Sequence, residues 1–177
     1  MVKKILKFFS YLLFFVFVMM VFIPKSSFYF SLEENLKTFN IVISKETLDE
    51  SVLSLNIHNL EISAKNIQSA IVEDVDVTLL FLYNSVTLTN IKLSSLVEGY
   101  LPSKVDKLQL TYTIFDPLLI KVQAQGEFGE MQADINILDK NISVELTPTN
   151  IMLKRYKKSI KMFKKSKDGV YVYAKSF

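Results

Sequence analysis

The N-terminal segment of this 177-residue chain constrains its fold more than any other feature, because it is a long apolar run behind three lysines. Phe8 to Ile23 holds no charged residue in 16 positions, and Lys3, Lys4 and Lys7 precede it. As a helix, the stretch from Ile5 to Ile23 would measure roughly 28 Å, close to the ~30 Å of a bilayer's hydrocarbon core. The run predicts a transmembrane helix with these positions in the span: Ile5, Phe8, Leu12, Phe15, Val18, Phe22 and Ile23.

A cleaved secretory signal is the alternative interpretation of the same segment. The apolar run is longer than a typical signal core, and no small-residue cleavage site follows it, so we expect an uncleaved anchor. Three lysines precede the span and only Lys25 follows closely, and this charge bias predicts a cytoplasmic N-terminus. We therefore expect residues 1–24 to be a cytoplasmic tip and anchor in the inner membrane, and residues 25–177 to be a periplasmic domain.

Composition agrees with an exported domain and shows a strong charge asymmetry. The chain has no cysteine, so it can form neither a disulfide nor a thiolate metal site. Residues 31–149 carry 17 acidic and 8 basic side chains, whereas residues 150–177 carry 9 basic side chains and one acidic. The sequence thus combines a basic anchor, an acidic middle and a basic tail.

Residues 39–147 show the period-2 alternation of antiparallel strands with one apolar and one wet face. The alternation slips by one residue at His58-Asn59 and then continues. Connections of two to six residues favour antiparallel neighbours. The predicted fold class is mainly β, a curved antiparallel sheet of half-barrel or sandwich-like form. Six apolar positions represent its candidate groove or core face: Val77, Leu79, Leu110, Tyr112, Ile120 and Ile135.

Two interpretations of this apolar face stay open. A second sheet or a helix would close it into an ordinary core, or the sheet would curl into a groove whose apolar floor holds acyl chains. Both need the same alternation, so the pattern does not separate them.

Two helices are predicted beside the sheet. Ser31 and Glu34 match a capping box and predict a short linker helix over residues 32–38. Leu153, Tyr156 and later apolar residues at helical spacing predict an amphipathic helix over residues 151–165, with a closing strand at about 170–174. The polar side of that helix is the candidate basic interaction surface: Lys154, Arg155, Lys157, Lys158, Lys161, Lys164 and Lys165.

The basic helix has several interpretations. It could lie on an anionic membrane surface, where each nearby basic side chain gains roughly 1 kcal/mol. It could bind an acidic protein partner, or it could simply pack its apolar stripe on the sheet and leave its lysines in water. Nucleic acid is not expected as a partner outside the cytoplasm.

No catalytic constellation is found in the sequence. His58 is the lone histidine, lies at a predicted turn and is expected to be solvated. Glu73, Asp74 and Asp76 put two carboxylates on one strand face, and we interpret them as part of a wet acidic surface rather than a cation site. We expect no enzyme activity, no cofactor and no metal site.

The chain resembles the type II secretion system protein N family, which belongs with the AsmA-like periplasmic β proteins. The resemblance lies in the Ile23-Pro24 junction, in the Ser31–Phe39 segment leading into strands, and in the turn and strand over Gly126–Ile135. It implies an inner-membrane protein with a periplasmic β domain and no catalytic residues.

The expected function is a non-enzymatic accessory or scaffold subunit of an envelope machine, and the machine we expect is a type II-like secretion system. The expected partners are the bilayer and envelope or secretion-system proteins. The alternative is a lipid-binding or lipid-transfer protein with lipid in an apolar β groove, of the AsmA-like or lipopolysaccharide-export-like kind.

Overall fold

The computed structural model describes residues 2–22, 24–95 and 99–176. Four helices and eleven strands follow one another along the chain. Their bounds are α1 Val2–Phe22, α2 Lys25–Thr38, β1 Ile41–Ser44, β2 Thr47–Glu50, β3 Ser54–Ala64, β4 Ile67–Leu79, β5 Tyr83–Leu93, β6 Lys104–Thr113, β7 Leu119–Gly126, β8 Gly129–Asn136, β9 Asn141–Pro148, α3 Asn150–Arg155, α4 Lys157–Ile160, β10 Lys164–Lys165 and β11 Tyr171–Ser176.

All eleven strands belong to one open antiparallel sheet, which confirms the mainly β fold class. The strand order is β1-β3-β4-β5-β6-β7-β8-β9-β11-β10, and β2 pairs with the part of β3 that β1 leaves free. The sheet is a single layer, so the sandwich-like form is wrong for the described chain. Adjacent strands rotate by about 20–25°, and a sheet of this width accumulates roughly 200° of twist and curls.

One face of the sheet is apolar across its whole width. Val77 lies opposite Leu55 and Val86, and the row continues through Leu110 and Val122 on the next two strands. The other face carries polar rows, because side chains alternate along each strand. The apolar face forms one hydrophobic cluster, to which strands near both edges of the sheet contribute.

The phase slip at His58-Asn59 occurs inside strand β3 rather than at a turn. Asn59 has a positive φ of 56°, and Asn90 on β5 has 53°. Asparagine tolerates this left-handed conformation better than most residues. The strand therefore continues while Leu60 returns to the apolar face at 4% exposure. The predicted turn at His58 is wrong, because the left-handed conformation of Asn59 shifts the alternation by one residue while strand β3 continues.

Helix α2 starts seven residues before the predicted helix. The prediction placed the start near Ser31, whereas the helix runs from Lys25 to Thr38. The Glu50 carboxylate accepts hydrogen bonds from the backbone amides of Lys25 at 2.9 Å and Ser26 at 3.3 Å. The N-terminal amides are thus satisfied by a residue of β2, and the Ser31 cap is not used.

The predicted helix over residues 151–165 is two short helices and a strand. Helix α3 ends at Arg155, α4 covers Lys157–Ile160, and Lys164 and Lys165 pair with β11. A single helix would stack Lys154, Lys157, Lys158 and Lys161 at spacings where like charges repel. The break at Tyr156 instead lets Met152 reach 1% exposure, while Tyr156 packs against the core cluster.

Helix α1 is continuous for 21 residues and carries large apolar side chains on its surface. Within the described ranges, no helix is both long and apolar enough to cross a membrane, and the predicted transmembrane helix is therefore not supported. Its uncharged part between Phe8 and Phe22 would be about 22 Å long, shorter than a ~30 Å hydrocarbon core.

Candidate functional site: an apolar groove beneath helix α2

An apolar recess on the sheet lies between helix α2 and strands β3 to β5. It encloses a cavity of about 380 Å³. Helix α2 supplies Phe28, Tyr29 and Leu32 to its wall. The remaining lining residues are Lys25, Ile43, Leu55, Ile57, Leu60, Ile62, Val75, Val77, Leu79, Val86 and Leu88. We call this recess the groove.

The sequence positions these side chains by two different periodicities. Phe28, Tyr29 and Leu32 follow Lys25 at helical spacings of i+3, i+4 and i+7, so one stripe of α2 faces the sheet. The strand residues alternate with polar neighbours and therefore share the sheet's apolar face. The groove forms where the helical stripe meets the strand stripe without filling the space between them.

Very few polar groups reach the groove. Lys25 is 2% exposed and is the charged residue of the lining. Tyr29 is 7% exposed, and its hydroxyl has no hydrogen-bond partner of good geometry within residues 2–22, 24–95 and 99–176. Burial, and after it the nearby Glu46 carboxylate, raises the pKa of Tyr29 above its usual 10.0. The hydroxyl therefore stays a neutral donor at physiological pH.

Helix α2 is held over the groove by its N-terminus. The hydrogen bonds from Ser26 and from the Lys25 amide hold the pKa of Glu50 below its ordinary value of 4.5. A carboxylate at a helix N-terminus is also favoured by the helix dipole. Glu50 thus fixes the start of α2 beside the end of β2.

Two of the six predicted groove positions, Val77 and Leu79, line the groove. The other four lie on the same face but farther across the sheet, and each is partly exposed: Leu110, Tyr112, Ile120 and Ile135. The groove is therefore narrower than predicted and lies nearer the β1 edge. The α2 residues were missed because the predicted helix began at residue 32, although their helical spacing was visible in the sequence.

The predicted anchor positions lie on α1. Phe8 is 65% exposed, Phe15 is 60% and Phe22 is 78%. Ile5 and Leu12 are also exposed, Val18 is partly exposed, and Ile23 lies outside the described residues. Within the described residues, Phe15, Val16 and Met19 lie towards Phe28 of α2 and the β4–β5 turn, and most of the other large apolar side chains of α1 are exposed.

The candidate basic surface is exposed at all seven positions: Lys154, Arg155, Lys157, Lys158, Lys161, Lys164 and Lys165. Within the described chain none of them forms an ion pair within 4.0 Å, although Lys165 lies 5.9 Å from the centroid of the Tyr171 ring. The apolar stripe beneath them, including Ile160 and Phe163, packs against the sheet. The lysines therefore face solvent.

His58 lies in strand β3 and is not a free solvated residue. Its Nδ1 atom is 2.6 Å from a carboxylate oxygen of Asp74 on the neighbouring strand. Asp76 accepts a hydrogen bond of 3.1 Å from the Thr78 hydroxyl on the same polar face. In the described part of the chain, no three acidic or histidine side chains are grouped as a metal site would require.

Comparisons with protein-family models, curated proteins and solved structures found no match to this chain. The resemblance to the type II secretion system protein N family therefore stays a prediction.

Proposed function

We propose that this chain is a membrane-attached lipid-binding protein whose groove holds an acyl chain beneath helix α2. The single observation that carries the proposal is the apolar cavity of about 380 Å³. Packed protein interiors contain few voids larger than a water molecule. Cavities of roughly 150 Å³ lined by apolar side chains already stay dry and bind apolar ligands, and ligand pockets begin at about 300 Å³. A recess of this size and lining suits a hydrocarbon chain.

The polar groups at the groove fit the head of such a ligand. Tyr29 offers a neutral hydroxyl that can donate to an ester carbonyl, and Lys25 contributes a positive charge at the same wall. The ligand class we propose is therefore an acyl ester of the phospholipid kind.

Membrane attachment by helix α1 is part of the proposal. Most of its described large apolar side chains between Ile5 and Phe22 are exposed, and the lysines at positions 3, 4 and 7 suit a lipid headgroup region. The predicted location of the β domain in the periplasm, at the inner membrane, remains a proposal, and attachment by α1 does not require this helix to cross the bilayer. The chain lacks cysteine, so single cysteines placed on either side of α1 would measure the topology without background labelling.

The experiment that tests the groove is lipid extraction and native mass spectrometry of the full chain purified in mild detergent. Val86 lines the groove and Thr87 is its neighbour on the opposite face, so the two positions give a matched pair. We expect co-purified lipid in the original chain and in Thr87→Trp, but a loss of most of it in Val86→Trp, because the indole fills the cavity.

Far-UV circular dichroism of both variants checks that the sheet is retained. Equal lipid in Val86→Trp and Thr87→Trp, with both folded, would contradict a lipid in the groove.

A scaffold role in an envelope machine is the second candidate. The exposed basic surface favours it, since its side chains form no ion pair with the described residues and can meet an acidic partner. Loss of a co-purifying partner when Lys157 and Lys158 are both replaced by glutamate would support that role.

A further inference from the structure

Four turns at one end of the sheet expose large apolar side chains, and we call this set the apolar rim. The strands are antiparallel, so the turns after β2, β4, β6 and β8 all lie at the same end. Phe81 is 61% exposed, Phe115 is 82% and Leu138 is 69%. The other rim residues are Val52, Leu53, Leu82, Ile114, Leu118 and Ile137, all of them exposed.

Exposure of this kind is unusual for hairpin turns, which are normally polar. A contiguous exposed apolar patch marks an interaction surface in a soluble or peripheral protein. The rim is repeated on four separate turns, and each turn contributes at least two apolar residues. A core requirement does not explain it, because these side chains lie beyond the ends of the strands.

The chain connects this rim directly to helix α1. Only residues 23 and 24 separate Phe22 at the end of α1 from Lys25 at the start of α2. The Lys25 amide is bonded to Glu50, the last residue of β2, which immediately precedes the first rim turn. The short connection and the Lys25–Glu50 hydrogen bond therefore place the end of α1 at the rim end of the sheet.

A second apolar cavity joins the rim to the groove. It encloses about 450 Å³ between α1, α2 and the β4–β5 turn. Phe15, Val16 and Met19 of α1 face Leu80 and Phe81 of that turn across it. Phe28 and Leu79 line both this cavity and the groove, so the two recesses share a wall at the rim end.

We propose that the apolar rim is a second membrane-contact surface that seats the sheet end-on against the lipid bilayer. The occupant is the bilayer because the rim is continuous with α1, most of whose large apolar side chains are exposed in the described structure. The groove then opens towards the membrane at its rim end. This inference rests on the proposed attachment by α1 but not on lipid being present in the groove.

The opposite end of the sheet is mixed, because it exposes Tyr100 at 63% and Leu101 at 37% beside polar turns. Its turns carry Lys65, Asn66 and Glu127, and the basic surface on α3 and α4 lies there too. The Ser159 hydroxyl donates to the Tyr100 carbonyl and ties α4 to a loop at that end. An end-on seat on the membrane would therefore leave the basic surface a strand length away, roughly 30 Å at about 3.3 Å per residue.

The test uses the full chain in vesicles of phosphatidylethanolamine and phosphatidylglycerol. Single cysteines are introduced by Phe115→Cys and Leu138→Cys at the rim and by Lys65→Cys at the opposite end, and each carries an environment-sensitive fluorophore. Brominated lipid is the quencher. The expected result is blue-shifted emission and at least twofold quenching at both rim positions, with water-like emission and little quenching at position 65.

Flotation of the same vesicles separates the two proposals. A protein that floats while its rim labels remain water-like would overturn the rim contact and leave the attachment by α1 standing. A protein that does not float would overturn both. Equal quenching at the rim and at position 65 would also overturn the proposal, because an end-on orientation keeps position 65 away from the bilayer.

Discussion

Single residues decide where the elements of this fold begin and how its strands keep their faces. Asn59 and Asn90 allow the apolar phase to slip within a strand, and Glu50 starts helix α2. The slip at Asn59 was visible in the sequence because the alternation restarts one residue later. The role of Glu50 was not, because its partners Lys25 and Ser26 lie 25 and 24 residues away.

Neutralising Glu50 is expected to loosen the start of helix α2. In the folded chain its pKa lies below the ordinary value of 4.5. Its charge therefore stabilises the fold above about pH 4.5, and this contribution is lost as the pH falls through the folded pKa. We expect Glu50→Gln to lower the thermal midpoint at pH 7, and the difference from the original chain to shrink as the pH falls below 4.5.

Circular dichroism melts from pH 3 to pH 7 measure this difference. Asp49→Asn is the matched control, because it removes one charge from the adjacent position without touching the α2 amides. A pH-independent difference for Glu50→Gln, or an equal effect of Asp49→Asn, would count against the cap.

At the scale of elements, strands were easier to predict than helices. A strand with one solvent-exposed face has apolar residues at every second position, so the sequence shows it directly, and residues 39–147 are indeed strand-rich. The first turn of helix α2 is stabilised by the Glu50 side chain of β2. The predicted helix over residues 151–165 is interrupted, because its lysines repel one another and because Lys164 and Lys165 pair with β11. Both depend on distant partners, which a local period does not encode.

In residues 150–165, substitutions on the buried side and on the exposed side are expected to differ in their effect on the free energy of unfolding. Met152 is 1% exposed, so Met152→Ala should cost about 2–5 kcal/mol through lost burial and a cavity. Lys157 and Lys158 are exposed and form no ion pair among the described residues, so the double replacement by glutamate should change the free energy of unfolding by less than about 1 kcal/mol. Urea unfolding in mild detergent, followed by circular dichroism, measures both.

A strongly destabilised double glutamate variant would mean that these lysines hold the fold together. A neutral Met152→Ala variant would mean that α3 is not packed on the sheet in solution.

The whole molecule has two unlike ends joined by an apolar face. Helix α1 and the apolar rim lie at one end, the basic surface lies at the other, and the groove runs between them beneath α2. This arrangement favours a partner, rather than the same membrane, for the basic surface. The sequence predicted the apolar face, but not which part of it α2 covers, because the same alternation serves a closed core and a groove.

Photo-cross-linking with a phospholipid that carries a diazirine at the end of one acyl chain tests the central claim most directly. The full chain is irradiated in vesicles, and the modified residues are located by mass spectrometry. We predict adducts in the groove, on residues such as Val77, Val86 and Leu88, as well as on α1. Adducts confined to α1 and the rim, with none on the groove residues, would contradict a lipid-binding groove.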